Sequence, residues 1–178
     1  DAAVTACRIA LHRRWPLTFG VWLATALPLA AAPPTLTALT PRGAERGKPV
    51  EVVVTGTNLT PQAQLLLPFK AEQTPLPDAK PNPTQVRIRV TVDASVPLGA
   101  YPVRVVTEEG VSGLQLFSVD AFPNVNEVED NNSFEKAQPV PVPVAITGQC
   151  TGGDVDYFRF PAKKGQKLVI ETEAARLG

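Results

Sequence analysis

The chain has very few of the side chains on which most enzyme chemistry depends. Its 178 residues include one His, two Cys and no Met. The histidine is His12, so the chain after it lacks the base of a Ser-His-Asp triad and the imidazole ligands of a catalytic zinc site. No glycine-rich loop has phosphate-binding spacing. We therefore expect no complete active site in this chain and predict that it is not an enzyme.

Cysteine and net charge exclude further classes of protein. Cys7 lies in the N-terminal segment, so Cys150 would be alone after removal of that segment, and no internal disulfide is expected. A lone thiol lacks both partner ligands and a base, and we interpret Cys150 as a small residue near a strand end. The formal net charge is zero, which gives no indication of nucleic acid or an anionic membrane as a partner.

The first 32 residues have the layout of a secretory signal peptide. Arg8, Arg13 and Arg14 precede an uncharged apolar stretch over residues 15–32, which ends in three alanines. An uncleaved membrane anchor is the alternative, but the stretch contains two prolines and is short for a spanning helix of about 20 apolar residues. We predict a protein that is secreted or held at the cell surface, with no membrane attachment after cleavage.

Residues 33–120 show the period of two that is typical of half-buried strands. The clearest run covers residues 85–92, where Val86, Ile88, Val90 and Val92 would face a core. Other strands are predicted over residues 49–55, 101–107 and 114–119, with a weaker edge candidate over 64–69 that contains Pro68. Most of the 19 prolines lie outside these runs. The pattern predicts an all-β chain that begins with an immunoglobulin-like sandwich, of about 100 residues in known examples.

A second module is predicted over residues 127–178, after a linker over residues 121–126. An acidic opening at residues 127–132 is followed by Ala-Gln-Pro at 137–139 and Ile-Thr-Gly at 146–148. Gly-Asp-Val-Asp-Tyr-Phe at 153–158 and Lys-Lys-Gly-Gln-Lys-Leu at 163–168 complete the series. Phe158 and Phe160 alternate with Tyr157, so the two phenylalanines would face a core.

Both modules resemble known families. The order of Pro-Thr-Leu-Thr at residue 34, Gly-Lys-Pro-Val at 47 and Thr-Gly-Thr-Asn at 55 resembles the IPT/TIG group of immunoglobulin-like domains. The ordered motifs after residue 126 resemble the N-terminal half of the bacterial pre-peptidase C-terminal (PPC) domain. That resemblance implies the first half of a second, jelly-roll-type β-sandwich whose strands continue beyond residue 178. Together with the missing Met, it leads us to expect a fragment of a larger protein.

The acidic clusters of the second module supply oxygen ligands of the kind that Ca²⁺ prefers. In collagen-binding members of the PPC family, calcium sits at the acidic opening and helps to order the module. The resemblance therefore implies a calcium site, and the matching candidates are Glu127, Glu129, Asn131, Asn132, Asp154 and Asp156. The alternative is a solvated turn, in which Asn or Ser caps a short helix and Asp154 caps the turn before a strand.

These features predict a non-catalytic, secreted binding, targeting or spacer region of a larger extracellular bacterial protein. Its partner would be an extracellular protein or polysaccharide, and oligomeric state is not indicated. Two alternatives remain open at this stage. The chain would be an accessory region of a secreted peptidase, as the PPC resemblance implies, or part of a structural cell-surface protein built from β-repeats.

Overall fold

The structure is a computed structural model that describes residues 32–78, 80, 82–150 and 152–173. Residues 1–31 of the predicted signal peptide lie outside this range. The described part of the chain is all-β, which confirms the predicted fold class. Within the described ranges, no helix is long and apolar enough to cross a membrane.

The strands are numbered in chain order. They are β1 (Thr35–Thr40), β2 (Gly43–Glu45), β3 (Pro49–Thr57), β4 (Gln64–Leu66), β5 (Ala71–Leu76), β6 (Gln85–Val92), β7 (Gly99–Thr107), β8 (Gly110–Val111), β9 (Gln115–Asp120), β10 (Asn124–Asn126), β11 (Gln138–Pro139), β12 (Ala145–Thr147) and β13 (Phe158–Arg159). Within the described ranges, one 3-10 turn, Phe134–Lys136, precedes β11.

Strands β1 to β9 form two sheets that pack face to face. The first is antiparallel in the order β1-β3-β6-β5. The second has the order β2-β9-β7-β4, with β8 returning as a hairpin on β7. β2 runs parallel to β9. Because β1 belongs to the first sheet and β2 to the second, the chain crosses between the sheets after β1.

The apolar core lies between these two sheets. Within β6, Val86, Ile88, Val90 and Val92 are all buried and alternate with more exposed polar residues, as the sequence predicts. The main buried cluster runs from Leu36 to Val119 in sequence. Burying an aliphatic side chain contributes about 1.5–3 kcal/mol relative to leaving it exposed, so this cluster is the main source of stability.

Several predicted strands differ from the structure by one or two residues at an end, and the largest boundary difference lies beside proline. The weak candidate over residues 64–69 is shorter in the structure: β4 ends at Leu66, before Pro68, and lies at a sheet edge. β5 was not predicted, because Pro75 interrupts its pattern. Proline is tolerated there because β5 is an edge strand and needs fewer ladder donors.

In its described residues, the second module contains two small parallel strand pairs. β10 pairs with β12, and β11 pairs with β13. The predicted linker is therefore ordered in part, since β10 lies within it. The 3-10 turn leaves Phe134 80% exposed, and none of the three residues of the turn is buried. Phe158 and Phe160 are half-buried whereas Tyr157 is exposed, which agrees with the predicted alternation.

Candidate metal centre

Two backbone contacts bring the acidic clusters of the second module together. The N–H of Glu127 donates to the carbonyl of Thr147 over 2.8 Å, which carries the β10–β12 pairing one residue further. The N–H of Tyr157 donates to the carbonyl of Asn131 over 3.0 Å. The loop after β10 is thereby held between the last residue of β12 and the residue that precedes β13.

The result is a compact group of carboxylates. Glu127, Glu129 and Asp156 each offer an oxygen, and these oxygens lie within 4.8 Å of one another. Two unit charges about 4 Å apart repel by roughly 1 kcal/mol in water and roughly 4 kcal/mol at the effective dielectric of a protein surface. The fold therefore holds together three like charges that a cation would stabilise.

Asn131 adds a buried acceptor to this group. Its side chain is 1% exposed, and its Nδ2 donates to Oε1 of Glu127 over 2.9 Å. Among the described residues its Oδ1 has no hydrogen-bond partner, and the same is true of the buried Oδ1 of Asp156. Buried polar atoms are satisfied in most proteins. Three carboxylates, one of which has an unpartnered oxygen, and the unpartnered amide oxygen of Asn131 form a donor set that suits a hard divalent cation.

The orientation of Glu127 depends on two residues that the sequence prediction did not include. Oε2 of Glu127 accepts a hydrogen bond from the N–H of Gln149 over 3.0 Å. A Cβ atom placed on Gly148 would lie 2.6 Å from the same oxygen. Glycine therefore allows the carboxylate to approach the backbone closely. Gly148 belongs to the Ile-Thr-Gly motif, but nothing in that motif indicates this contact.

The local environment moves the carboxyl pKa values in different directions. Burial and the charge of Glu127 raise the pKa of Asp156. Burial, followed by the charge of Asp154, raises the pKa of Glu129. Burial also opposes ionisation of Glu127, but hydrogen bonds from Asn131 and Gln149 outweigh it and lower the pKa of that group. Glu127 is thus the preferred site of negative charge.

The other two predicted ligands, Asp154 and Asn132, are not part of this group of carboxylates. Oδ1 of Asp154 accepts a hydrogen bond from the N–H of Val155 over 3.0 Å, as a turn cap would, while its charge still acts on Glu129 and Asp156. Asn132 is exposed, and no described contact joins its side chain to the carboxylates. The structure thus brings together Glu127, Glu129, Asn131 and Asp156, with Asp154 nearby.

Cys150 lies closer to this group than its place in the sequence suggested. Its Sγ donates to the carbonyl of Asp154 over 3.2 Å, and its thiol interacts with Asp156. Burial, followed by the charges of Asp156 and Asp154, raises the pKa of the thiol. A thiol in an electronegative environment is a poor nucleophile, because reactivity requires the thiolate.

No protein-family model matches the chain, and no curated protein is significantly similar to it. The similarity to the IPT/TIG and PPC families therefore stays a prediction from sequence. The geometry of the carboxylate group is independent of that prediction.

Proposed function

We propose that the chain is a non-catalytic, secreted binding region whose second module holds a divalent cation, Ca²⁺. The observation that carries the proposal is the group formed by Glu127, Glu129 and Asp156, together with the unsatisfied Oδ1 of the buried Asn131. All of these atoms are oxygens, the ligands that Ca²⁺ takes in sets of six to eight. Backbone carbonyls and water would complete the coordination.

The surroundings of the site support binding rather than catalysis. Val128 and Val155 flank the ligand residues in sequence and are 63% and 55% exposed. Tyr157 is also exposed beside Asp156. Exposed apolar and aromatic side chains are a common feature of recognition surfaces for proteins and sugars. The raised pKa of Cys150 gives no support to a thiol nucleophile at this position.

The cation would act by ordering the surface that bears these side chains. Among the described residues of segments 127–131 and 148–156, few backbone hydrogen bonds are formed, and a bound ion would join the two segments through their carboxylates. An extracellular protein or polysaccharide would then meet a rigid surface, which reduces the entropy that is lost on binding. Secretion is part of the proposal and rests on the layout of residues 1–32.

Calorimetric titration of the chain with Ca²⁺ after EDTA treatment tests the site directly. We expect saturable heat and a higher melting temperature in calcium. A ligand at about 100 times its Kd stabilises the folded state by about 2.7 kcal/mol. Asp156→Asn should lower the calcium affinity by at least about tenfold, which is the loss that follows when a residue that only supports a metal ligand is changed.

A folding control and a matched control make the result decisive. Without calcium, Asp156→Asn should melt no lower than the parent chain, because the change removes one of three clustered charges. Glu135→Gln removes an exposed carboxylate from the same module and should leave the calcium response intact. Absence of heat and of any melting shift in the parent chain would refute the cation site.

A further inference from the structure

The connection between the sandwich and the second module is short. β9 ends at Asp120 and β10 begins at Asn124, so three residues, 121–123, separate the last strand of the sandwich from the first strand of the second module. Domains joined by an exposed linker with few contacts move relative to each other by default. The contacts on either side of this connection therefore decide whether the two modules move independently.

The side chain of Asp120 holds both ends of this connection. Its Oδ1 accepts a hydrogen bond from the hydroxyl of Ser118 on β9 over 2.8 Å. Its Oδ2 accepts one from Nδ2 of Asn124 on β10 over 3.0 Å. Hydrogen bonds to an ionised group are stronger than those between neutral groups. The carboxylate is thus held on the sandwich through one oxygen and holds β10 through the other.

The backbone of β2 lies directly against the Asp120–Asn124 contact. A Cβ atom placed on Gly43 would be 2.9 Å from Oδ2 of Asp120 and 3.0 Å from Oδ1 of Asn124. Even the methyl group of an alanine would therefore displace one of these side chains. The absence of a side chain at Gly43 allows the contact to close against the second sheet of the sandwich.

A separate contact joins the modules on strand β12. The N–H of Arg42, the residue before β2, donates to Oγ1 of Thr147 over 3.3 Å. Thr147 is the last residue of β12 and pairs with Asn126, whereas Asn124 lies at the other end of the same strand pair. Two residues of a strand span roughly 7 Å. The β10–β12 pair is thus held at both ends, and rotation about either contact is opposed by the other.

We propose that these two contacts form a rigid joint, which holds the sandwich and the second module in a single relative orientation. The joint consists of the Asp120–Asn124 and Arg42–Thr147 hydrogen bonds. It also stabilises the β10–β12 pair, since an isolated pair of strands is marginally stable in water. The chain therefore acts as a rigid spacer between whatever each module contacts. The proposal does not depend on cation binding at the carboxylate group, and it is tested in EDTA so that the two can fail separately.

Residual dipolar couplings of the full chain measure the relative orientation directly. In the parent chain, one alignment tensor should fit the amides of β6 and β7 together with those of β10 and β12. Asn124→Ala removes the donor to Asp120 and leaves a hinge, so the second module should then require a tensor of its own. The amide of Ala145, which donates to the carbonyl of Pro123, should exchange with solvent about two- to tenfold faster, as the loss of one hydrogen bond predicts.

A second variant and a matched control separate the joint from general effects of substitution. Thr147→Val keeps the branched side chain but removes the acceptor for the N–H of Arg42, and it should have the same effect as Asn124→Ala. Asn126→Ala changes an exposed residue of the same type on the same strand, and it should behave like the parent chain in both measurements.

Two results would overturn the proposal. One is a parent chain in which the two modules already require separate tensors. The other is a single tensor that persists in both Asn124→Ala and Thr147→Val, because the joint would then not be what fixes the orientation. Neither substituted residue belongs to the main core, so the sandwich should stay folded, and unchanged amide shifts in β6 check that it does.

Discussion

Asp93 shows how a single surface side chain organises a connection between the sheets. It follows β6, and its Oδ2 lies 2.7 Å from Nζ of Lys70, just before β5. Its Oδ1 accepts hydrogen bonds from the N–H and the hydroxyl of Ser95 over 2.9 and 2.6 Å. The hydrogen bond from Lys70, followed by those from Ser95, holds the pKa of Asp93 well below its usual range.

The lowered pKa of Asp93 leads us to expect a specific dependence of stability on pH. A carboxyl group whose pKa is lower in the folded state stabilises the fold. This stabilisation is complete at pH values above the pKa of the unfolded state, which is about 3.9 for Asp, and it is lost as the pH falls through the lower pKa of the folded state. Asp93→Asn should therefore lower the free energy of unfolding near neutral pH. The difference from the parent chain should shrink steadily as the pH falls below about 4.

Urea unfolding of both proteins from about pH 7 down to about pH 2 measures this difference. Glu108→Gln serves as the control, because Glu108 is an exposed carboxylate in the turn between β7 and β8. A deficit of Asp93→Asn that stayed constant over the whole pH range would show that the charge of Asp93 is not its cause.

At the scale of elements, a side chain rather than a strand covers one open edge of the sandwich. β4 and β5 belong to different sheets and are both edge strands. The amide of Gln73 on β5 accepts from the N–H of Leu65 and donates to its carbonyl, both over 2.9 Å. One side chain thus occupies two backbone groups of an otherwise open edge, which limits pairing with other chains.

Gln73→Leu should destabilise the fold by about 1–3 kcal/mol, because it leaves two partly buried backbone groups without partners. It should also increase aggregation on heating, since the β4 edge is uncovered. Chemical unfolding and light scattering measure the two effects. Thr74→Val changes the adjacent exposed residue and should alter stability by no more than about 0.5 kcal/mol. Equal effects from both changes would contradict the proposed closure.

Across the described molecule, burial is distributed unevenly. The main core lies within residues 36–119, while the second module buries few side chains, among them Asn131, Ala137 and Val140. Isolated two-stranded pairs are marginally stable in water. The second module should therefore open locally at a lower free energy than the sandwich does.

Limited trypsin digestion should reveal this difference. The first cuts are expected after Lys163, Lys164 or Lys167, which are exposed and lie outside any strand. Arg87 and Arg89 lie within β6 and should be protected until the sandwich unfolds. Mass spectrometry of early fragments identifies the order of cleavage. Early cleavage after Arg87 or Arg89 would contradict the uneven stability.

Strands were predicted most accurately where apolar and polar residues alternate without interruption. β6 was predicted with its boundaries and its buried face, because period-two alternation is unbroken there. β5 was missed because Pro75 breaks the pattern, and only its edge position makes that proline acceptable. The strand-like run after Gly165 did not become a strand, since a strand needs a partner as well as a suitable sequence.

The amino-acid sequence by itself determined the all-β class, the main strands and the oxygen-rich character of the acidic segments, because these follow from residue type and local periodicity. Only the tertiary structure decided which acidic side chains meet. Glu127 and Asp156 are 29 positions apart in the numbering and come together through the pairing of β10 with β12 and the Tyr157–Asn131 hydrogen bond. Long-range register sets those contacts, and local patterns carry little information about it.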